Sequence, residues 1–436
     1  MTMEKLTGRS APITTVRGVR DILPAEVPGW RLLEETARQL FTAYGYQELR
    51  TPIFEKSELF ARAVGATSDI VGKEMYTFAD RGGDSLSLRP EGTAAVVRAF
   101  IENGLQRALP WAVYYMGPMF RYERPQKGRY RQFHQMGCEL FGAEGPLADA
   151  EMMAMVLRLL RRIGVEASLT LEINTLGCLQ CRGPYREKLF HFLQAEAGAL
   201  CDNCRQRLPY NPLRTLDCKG EGCRAVSLRA PLLQEHLCGA CGDHFRGLTG
   251  LLTEMELPFV LNPLLVRGLD YYNRTAFEVT TTALGTQNAV AAGGRYDGLV
   301  AEMGGQATPA IGFAMGMERL VLLLDAARVE ASRPPFYLVS VGEEARRVGV
   351  IQAERWRDAG VPVVVDLPGG SMKAQMRRAD RAGARFVLIL GEQEREAGSV
   401  LLKEMAGGTQ ESLRLDAVAV RLSELLKSMQ LQEKLI

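Results

Sequence analysis

Long apolar runs are missing from this chain. Its most apolar segments, "RLVLLLDAA" and "RFVLILG", fall far short of the roughly 20 residues needed to span a bilayer. The opening residues, MTMEKLTGRSAPITTVRG, lack the apolar core of a signal peptide. The sequence is therefore read as cytoplasmic, with no membrane partner. An excess of either charge is missing too: the formal net charge is +2 over 436 residues, so nucleic-acid binding would have to come from local patches. Neither an internal repeat nor a low-complexity tract is present. Histidine is scarce, with four in the chain, and no Ser/His/Asp arrangement can be assembled. In a reducing compartment the nine cysteines are expected as thiols or metal ligands rather than disulfides.

What is there is a globular composition, 47% hydrophobic and 24% charged, long enough for two or three domains. "PGWRLLEETARQLFTAYGY" predicts a helix with Leu32, Leu33, Ala37, Leu40 and Phe41 on one face. "QELRTPIFE" then reads as a strand stopping at Pro52. Strand-like and helical pieces alternate to about 170. From about 178 to 250 the sequence turns helical and cysteine-rich, and strand-rich sequence resumes at "FVLNPLLVRGLDYYNRTAFEVTTT". A Gly-rich strand leading into a helix, "PAIGFAMGMERLVLLLDAA", closes this zone. After the polar "RVEASRPP", short β-branched strands alternate with helical segments, which predicts a separate α/β domain of about 100 residues.

One stretch is unusual. "FRYERPQKGRYRQFHQMGCE" places Arg121, Arg124, Lys127, Arg129 and Arg131 within eleven residues, ahead of Gln132, His134, Gln135 and Glu139. "AVYYMGPMFRYER" and "RQFHQMGCELFG" both fit strands, and "PQKGRY" fits the loop between them. Strand side chains alternate faces. Arg121 and Glu123 are thus expected on one face, and Phe133, Gln135 and Glu139 on one face of the second strand. An apolar core would not hold that set unpaired. A guanidinium fork suits bidentate contact with phosphate or carboxylate, and Phe133 suits stacking on a heterocycle. A charged surface hairpin with cross-strand ion pairs is the plainer alternative.

The same stretch resembles motif 2 of class II aminoacyl-tRNA synthetases in the form found in the histidyl-tRNA synthetase family. "RGVRDILP" (17–24), "LRPEGT" (88–93), "VRGLDYYNRTAFE" (266–278), "AGGRYDGL" (292–299) and "GFAMGMERL" (312–320) resemble that family as well, in its order, so the likeness spans nearly the whole chain. The resemblance implies an α+β fold. Residues 1–332 would form a class II catalytic domain, with a mixed, mostly antiparallel sheet and flanking helices. A helical insertion would occupy 178–250, and an α/β anticodon-binding domain 333–436. It also implies ATP-dependent ligation of L-histidine to the histidine tRNA through a histidyl-adenylate, with Mg²⁺ accompanying the phosphates.

Carried over residue by residue, the resemblance assigns catalysis to Arg121, Arg267 and Arg319. Preorganised cations suit charge developing at an α-phosphate. ATP would also meet Glu123 and Phe133 at its adenine. Glu91, Gly92, Thr93 and Gln135 would hold the amino end of histidine, with Arg121 and Arg267 beside its carboxylate. Glu139, Tyr271 and Tyr272 would hold the imidazole. A carboxylate and a phenol on its two ring nitrogens would fix tautomer and direction. By spacing alone "LDYY" reads as a core strand. His134 lies on the opposite strand parity from Gln135 and is read as structural.

The helix before "QELRTPIFE" resembles motif 1, which implies a homodimer. Arg129 and Arg131 are implied to reach toward the tRNA acceptor end. Lys373, Arg377, Arg378 and Arg381 recur at helical spacing in the last domain, a pattern usual for a solvated face. The resemblance turns it, at Lys373 and Arg377 above all, into an anticodon-binding stripe.

Four cysteine pairs, Cys178/Cys181, Cys201/Cys204, Cys218/Cys223 and Cys238/Cys241, stand at metal-ligand spacing. They can close one or two tetrahedral structural zinc sites, or be small buried residues of a helical insertion. Two rival functions share the fold: a histidine-sensing regulatory subunit of ATP phosphoribosyltransferase, and a tRNA-sensing pseudo-synthetase. Arg267, the full motif 2 loop and the last domain argue against the first. The intact "ERPQKGR" and "RGLDYY" argue against the second.

Overall fold

The computed structural model describes residues 12–65, 68–165, 169–284, 288–325, 329 and 333–433, so half of the polar "RVEASRPP" lies outside the described residues. The chain divides into two compact units, 1–330 and 331–436.

The first unit opens with helix α1, Val27–Ala43. Pro28, at its start, has a φ already suited to a helix and lacks only an N–H that has no partner there. Trp30, Leu33, Ala37, Leu40 and Phe41 are its buried stripe; Trp30, not Leu32, completes that face. Strand β1 is only Gln47–Glu48. Where the sequence suggests one strand ending at Pro52, the chain makes two. Strand β2, Phe54–Lys56, belongs to a separate small sheet with β3 (Thr77–Ala79) and β4 (Ser85–Leu88). Between them the buried Arg89 donates to the carbonyls of Thr51 (3.0 Å) and Pro118 (2.8 Å), so the break is fixed by a side chain 38 residues away. Helix α2 (Ser57–Val64) follows β2 within this sheet's span, and α3 (Thr93–Glu102) follows β4.

The hairpin follows as β5 (Trp111–Phe120) and β6 (Gln132–Phe141), paired along their full length from Trp111↔Phe141 to Phe120↔Gln132. Helix α4 (Pro146–Arg162) and strand β7 (Leu169–Thr175) come next. The chain then leaves the sheet for helices α5 (Leu179–Ala195), α6 (Asp202–Arg207), α7 (Glu221–Ser227) and α8 (Gly239–Glu254). It returns through β8 (Val260–Leu261), β9 (Asn273–Thr281), β10 (Ala289–Arg295), α9 (Leu299–Glu302), β11 (Ala310–Gly316) and α10 (Met317–Leu323). The large sheet has the order β1-β5-β6-β11-β10-β9-β7-β8. Its interior pairings are antiparallel; the edge pairs β1/β5 and β7/β8 are parallel.

Strand alternation separates two cores. Met136 and Cys138 of β6 face a core built with α1 and α4, while Phe141 faces a second core with Phe60, Val97, Phe100 and apolar residues of the cysteine-rich helices. Phe133 packs on that second side, and so the even positions of β6 pack away from the odd ones.

The second unit is a five-stranded α/β sheet, order β13-β12-β14-β15-β16. Its elements are β12 (Phe336–Ser340), α11 (Glu343–Asp358), β13 (Val363–Val365), α12 (Met372–Arg381), β14 (Phe386–Leu390), α13 (Glu392–Glu396), β15 (Ser399–Glu404), β16 (Gln410–Arg414) and α14 (Val418–Glu433). Buried Gln375 accepts from Ser340 N (3.0 Å) and donates to Ser340 O (2.7 Å), fastening α12 to β12.

Candidate active site

The backbone departs from the sequence-based expectation at two places. Arg121 and Glu123 are not on a strand: β5 ends at Phe120, and after one further pairing (Arg121 N to Arg131 O, 2.9 Å) the chain loops out, closed at its tip by Gln126 and Arg129. "LDYY" is not a strand either. Asp270 N donates to Val64 O and its carboxylate accepts from Asn211, so this segment is a turn and β9 begins only at Asn273.

A cavity of about 290 Å³ opens on the odd face of β6. Arg121, Arg267 and Arg319, which are 146 and 52 residues apart along the chain by their numbers, all line it. So do Glu91, Thr93, Glu123, Arg129, Phe133, Gln135, Tyr271 and Tyr272. Arg121 is held by a 2.8 Å bond from Nε to Pro90 O, with its guanidinium 5.3 Å from the Phe133 ring centre. Arg267 bonds Glu278 of β9 at 2.9 Å and stands 5.6 Å from the Tyr272 ring. Arg319, in the first turn of α10, donates to Ala289 O at 2.6 Å and Gly128 O at 3.3 Å. Burial lowers the basicity of Arg121 and Arg319, as expected when cations share a recess with little water.

The acidic side is equally fixed. Buried Glu91 accepts from Thr93 N and Ala94 N, each 2.8 Å, capping the start of α3; burial raises its pKa. Gly92 is not in this cavity's lining, yet a Cβ there would fall 2.3 Å from the Tyr115 ring. Glu139 does not line the cavity. It lies beneath the wall, accepting from Thr93 Oγ1 at 2.7 Å and from the Tyr296 hydroxyl, and burial pushes its pKa up to about 8. Its carboxylate crosses Gly312 of β11 so closely that a Cβ there would sit 1.6 Å from Oε2.

Of the loop cations, Arg124 and Lys127 are exposed, while Arg129 and Arg131 are engaged by neighbours. Arg129 pairs with Glu123 at the cavity, and Arg131 lies 3.9 Å over the Tyr122 ring. Gly18 accepts from Arg131 N at 2.7 Å, so the 17–24 segment braces the loop. His134 is outside the cavity lining. Its backbone N and Nδ1 meet Glu318 at 2.9 Å, and its ring lies 5.0 Å from that of Trp30. Sequence reasoning gave no role to Tyr130, Glu278 or Glu318, all of which line the cavity. The only signal for the last two was their place inside quoted motifs.

In the second unit Lys373 and Arg377 are exposed on α12. Arg378 leaves the stripe: it forms a two-point pair with buried Asp366 (2.7 and 2.8 Å). The eight paired cysteines gather into two clusters, Cys178/Cys181/Cys238/Cys241 and Cys201/Cys204/Cys218/Cys223. Among the described residues no helix is long and apolar enough to cross a membrane.

Residues 18–320 match the family model of histidyl-tRNA synthetase, and 336–425 match that of an anticodon-binding domain. A Histidine--tRNA ligase of Trichlorobacter lovleyi is 52% identical over 94% of this chain and 97% of its own length. That of Geobacter metallireducens is 49% identical over 94% and 98%. Apo Staphylococcus aureus histidyl-tRNA synthetase is a structural match with a TM-score of 0.79 at 36% identity, covering 94% of this chain and all of that one. A Bacillus halodurans structure titled as an ATP phosphoribosyltransferase regulatory subunit/histidyl-tRNA synthetase matches with a TM-score of 0.62 at 23% identity, which shows the fold alone.

Proposed function

Since the chain belongs to the histidyl-tRNA synthetase family and charges the histidine tRNA with histidine, we propose that the cavity beside β6 is where histidine and ATP react. The observation that carries this is the convergence of Arg121, Arg267 and Arg319 on one recess that also holds Tyr271 and Tyr272.

In the first step a carboxylate oxygen of histidine attacks the α-phosphorus of ATP, and the bond to the bridging oxygen breaks to release pyrophosphate. Negative charge grows on the α-phosphoryl oxygens, and Arg121 and Arg267 stabilise it in place, since both are already pinned by Pro90 O and Glu278. Arg319 holds the outer phosphates. Phe133 stacks on the adenine, and Glu123 accepts from it. In the second step a hydroxyl of the terminal tRNA ribose attacks the histidyl carbonyl, its proton passing to an oxygen of the adenylate phosphate, and the carbonyl–oxygen bond to that phosphate breaks so that AMP departs with the electron pair.

Glu91, Thr93 and Gln135 address the α-amino end, with Gly92 keeping the turn close to Tyr115. Tyr271, Tyr272 and, from beneath, Glu139 address the imidazole. A side chain without ring nitrogens leaves such groups unpaired, which costs roughly 10⁴-fold in rate. Glu278 and Glu318, both in the cavity lining, would help hold Mg²⁺, which would screen the phosphate charge. Zinc on the insertion thiolates is structural in this reading.

A second copy covers the exposed apolar side chains Ile53, Phe54 and Phe78 beside the motif 1 region, making a homodimer. Lys373 and Arg377 contact the tRNA in the second unit, and Arg129 and Arg131 meet its acceptor end once the loop opens. The cytoplasm is the compartment this assigns. ATP–pyrophosphate exchange tests the reading: it should require histidine and no other amino acid, and exchange without that requirement would overturn it.

A further inference from the structure

The thiols of the insertion do not pair in sequence order. The first pair meets the last and the second meets the third, which puts one cluster at the neck of the insertion and one inside it. Within each cluster the Sγ atoms all lie within 4.8 Å of one another. The sulfur–sulfur contacts include 3.7 Å (Cys178–Cys181), 3.9 Å (Cys178–Cys238) and 3.9 Å (Cys201–Cys218). A disulfide needs about 2.05 Å between sulfurs. A zinc ion with bonds of about 2.3 Å to four thiolates needs a tetrahedral edge of about 3.8 Å. An iron–sulfur cube, whose four cysteines each bind a different iron, would spread the sulfurs wider. Backbone amides already aim at the sulfurs: Cys238 N to Cys181 Sγ at 3.1 Å, and Cys201 N to Cys223 Sγ at 3.2 Å.

The neck cluster is linked to the proposed histidine pocket through its chain neighbours. Strand β7 keeps bonding past its end, with Leu176 N to Arg274 O at 2.5 Å and Arg274 N to Gly177 O at 2.8 Å, and Cys178 follows at once. Arg274 pays for this with a left-handed φ of 47°, two residues after Tyr272. Arg182, next to Cys181, donates to the carbonyl of Tyr272. The other half of the cluster opens α8, whose His244 bonds Asp149 of α4 at 2.8 Å. The neck thiols therefore join the outgoing and returning chains where both are tied to the catalytic unit. The inner cluster holds together α6, α7 and the short turns around them, which have little regular structure of their own.

We propose that the insertion carries two four-thiolate zinc centres, and that the neck centre is a clasp that positions Tyr272 through Arg182. The clasp rests on the function proposed above; the metal count does not. Protein purified without chelator should hold two zinc ions per chain, with an absorption-edge spectrum showing four sulfurs at about 2.3 Å. One zinc or fewer, iron in its place, or nitrogen and oxygen ligands would overturn the pair of centres, whatever the activity. Cys238→Ser and Cys218→Ser should each remove one zinc. For the clasp, Cys238→Ser should raise the KM for histidine in exchange about tenfold more than Cys218→Ser does, with kcat less affected. Arg182→Met should raise that KM with both zinc ions retained, and Arg182→Lys should restore part of it. Equal KM effects of the two cysteine variants, or none from Arg182→Met, would refute the clasp.

Discussion

Thr93 and Glu139, 46 residues apart in sequence, are joined by a 2.7 Å hydrogen bond from Thr93 Oγ1 to Glu139 Oε1. This bond links the loop at the start of α3, where Glu91 sits, to the floor of the pocket beneath β6. The two ends assigned to one amino acid are thus built as a single unit. The hydroxyl of Tyr296 occupies the other carboxylate oxygen.

Burial raises the Glu139 pKa from 4.5 to about 8 in the histidine-free protein. Between those values the folded chain holds a proton that the unfolded chain has lost. The contribution of this group is therefore whole below about 4.5 and is lost as pH rises through about 8. Urea midpoints measured at pH 6 and pH 9 should fall more for the parent protein than for Glu139→Gln, in which nothing titrates. Parallel falls would contradict the assignment.

Gly312→Ala puts a methyl group where Glu139 lies, 1.6 Å from Oε2. Displacing the carboxylate should cost about 1–3 kcal/mol of stability. It should also raise the KM for histidine, leaving that for ATP less changed. Steady-state exchange kinetics at varied histidine and ATP would show whether the two constants separate.

Arg267→Ala should lower histidine-dependent exchange by about 10³-fold, the usual scale for removing a preorganised donor. Arg267→Lys should recover little, because one ammonium cannot keep the Glu278 bond and also meet an oxyanion as a fork does. Exchange near the parent level in either variant would remove Arg267 from the chemistry.

The second unit separates two kinds of basic residue on one helix. Replacing Lys373 and Arg377 by Ala should raise the KM for tRNA in charging and lessen its salt dependence. Arg378→Met should instead lower the thermal stability of the unit, since it takes the charged partner from buried Asp366 and leaves only the Tyr337 hydroxyl and Gly369 N bonded to it. Arg378 holds the Asp366 carboxyl below its usual pKa. The stabilisation it gives is therefore present at neutral pH and is lost as pH falls through the lowered value. Thermal melts of both variants at neutral pH would show whether they differ this way.

How far the sequence could be read depended on range. Period-two alternation in 132–141 is local, and β6 follows it, with Phe133, Gln135 and Glu139 on one parity. The Gly-rich run into a helix is local as well, and it delivers Arg319 to the first turn of α10. Arg121 leaving its strand, and the turn at Asp270, were not legible, because a carbonyl at Pro90 and an amide at Asn211 decide them from afar. Arg378 looked like its neighbours on the stripe until Asp366 came within 2.7 Å. Cysteine spacing marked four pairs, but which pairs meet depends on where α8 returns to the sheet.

The central claim is that three guanidinium groups from separate parts of the chain meet one triphosphate. A crystal structure of this protein with ATP and histidinol tests it most directly. Arg121, Arg267 and Arg319 should each place a nitrogen within about 3.2 Å of the nucleotide phosphates, with the imidazole between Tyr271, Tyr272 and Glu139. ATP bound with those three side chains turned away from its phosphates would contradict the account.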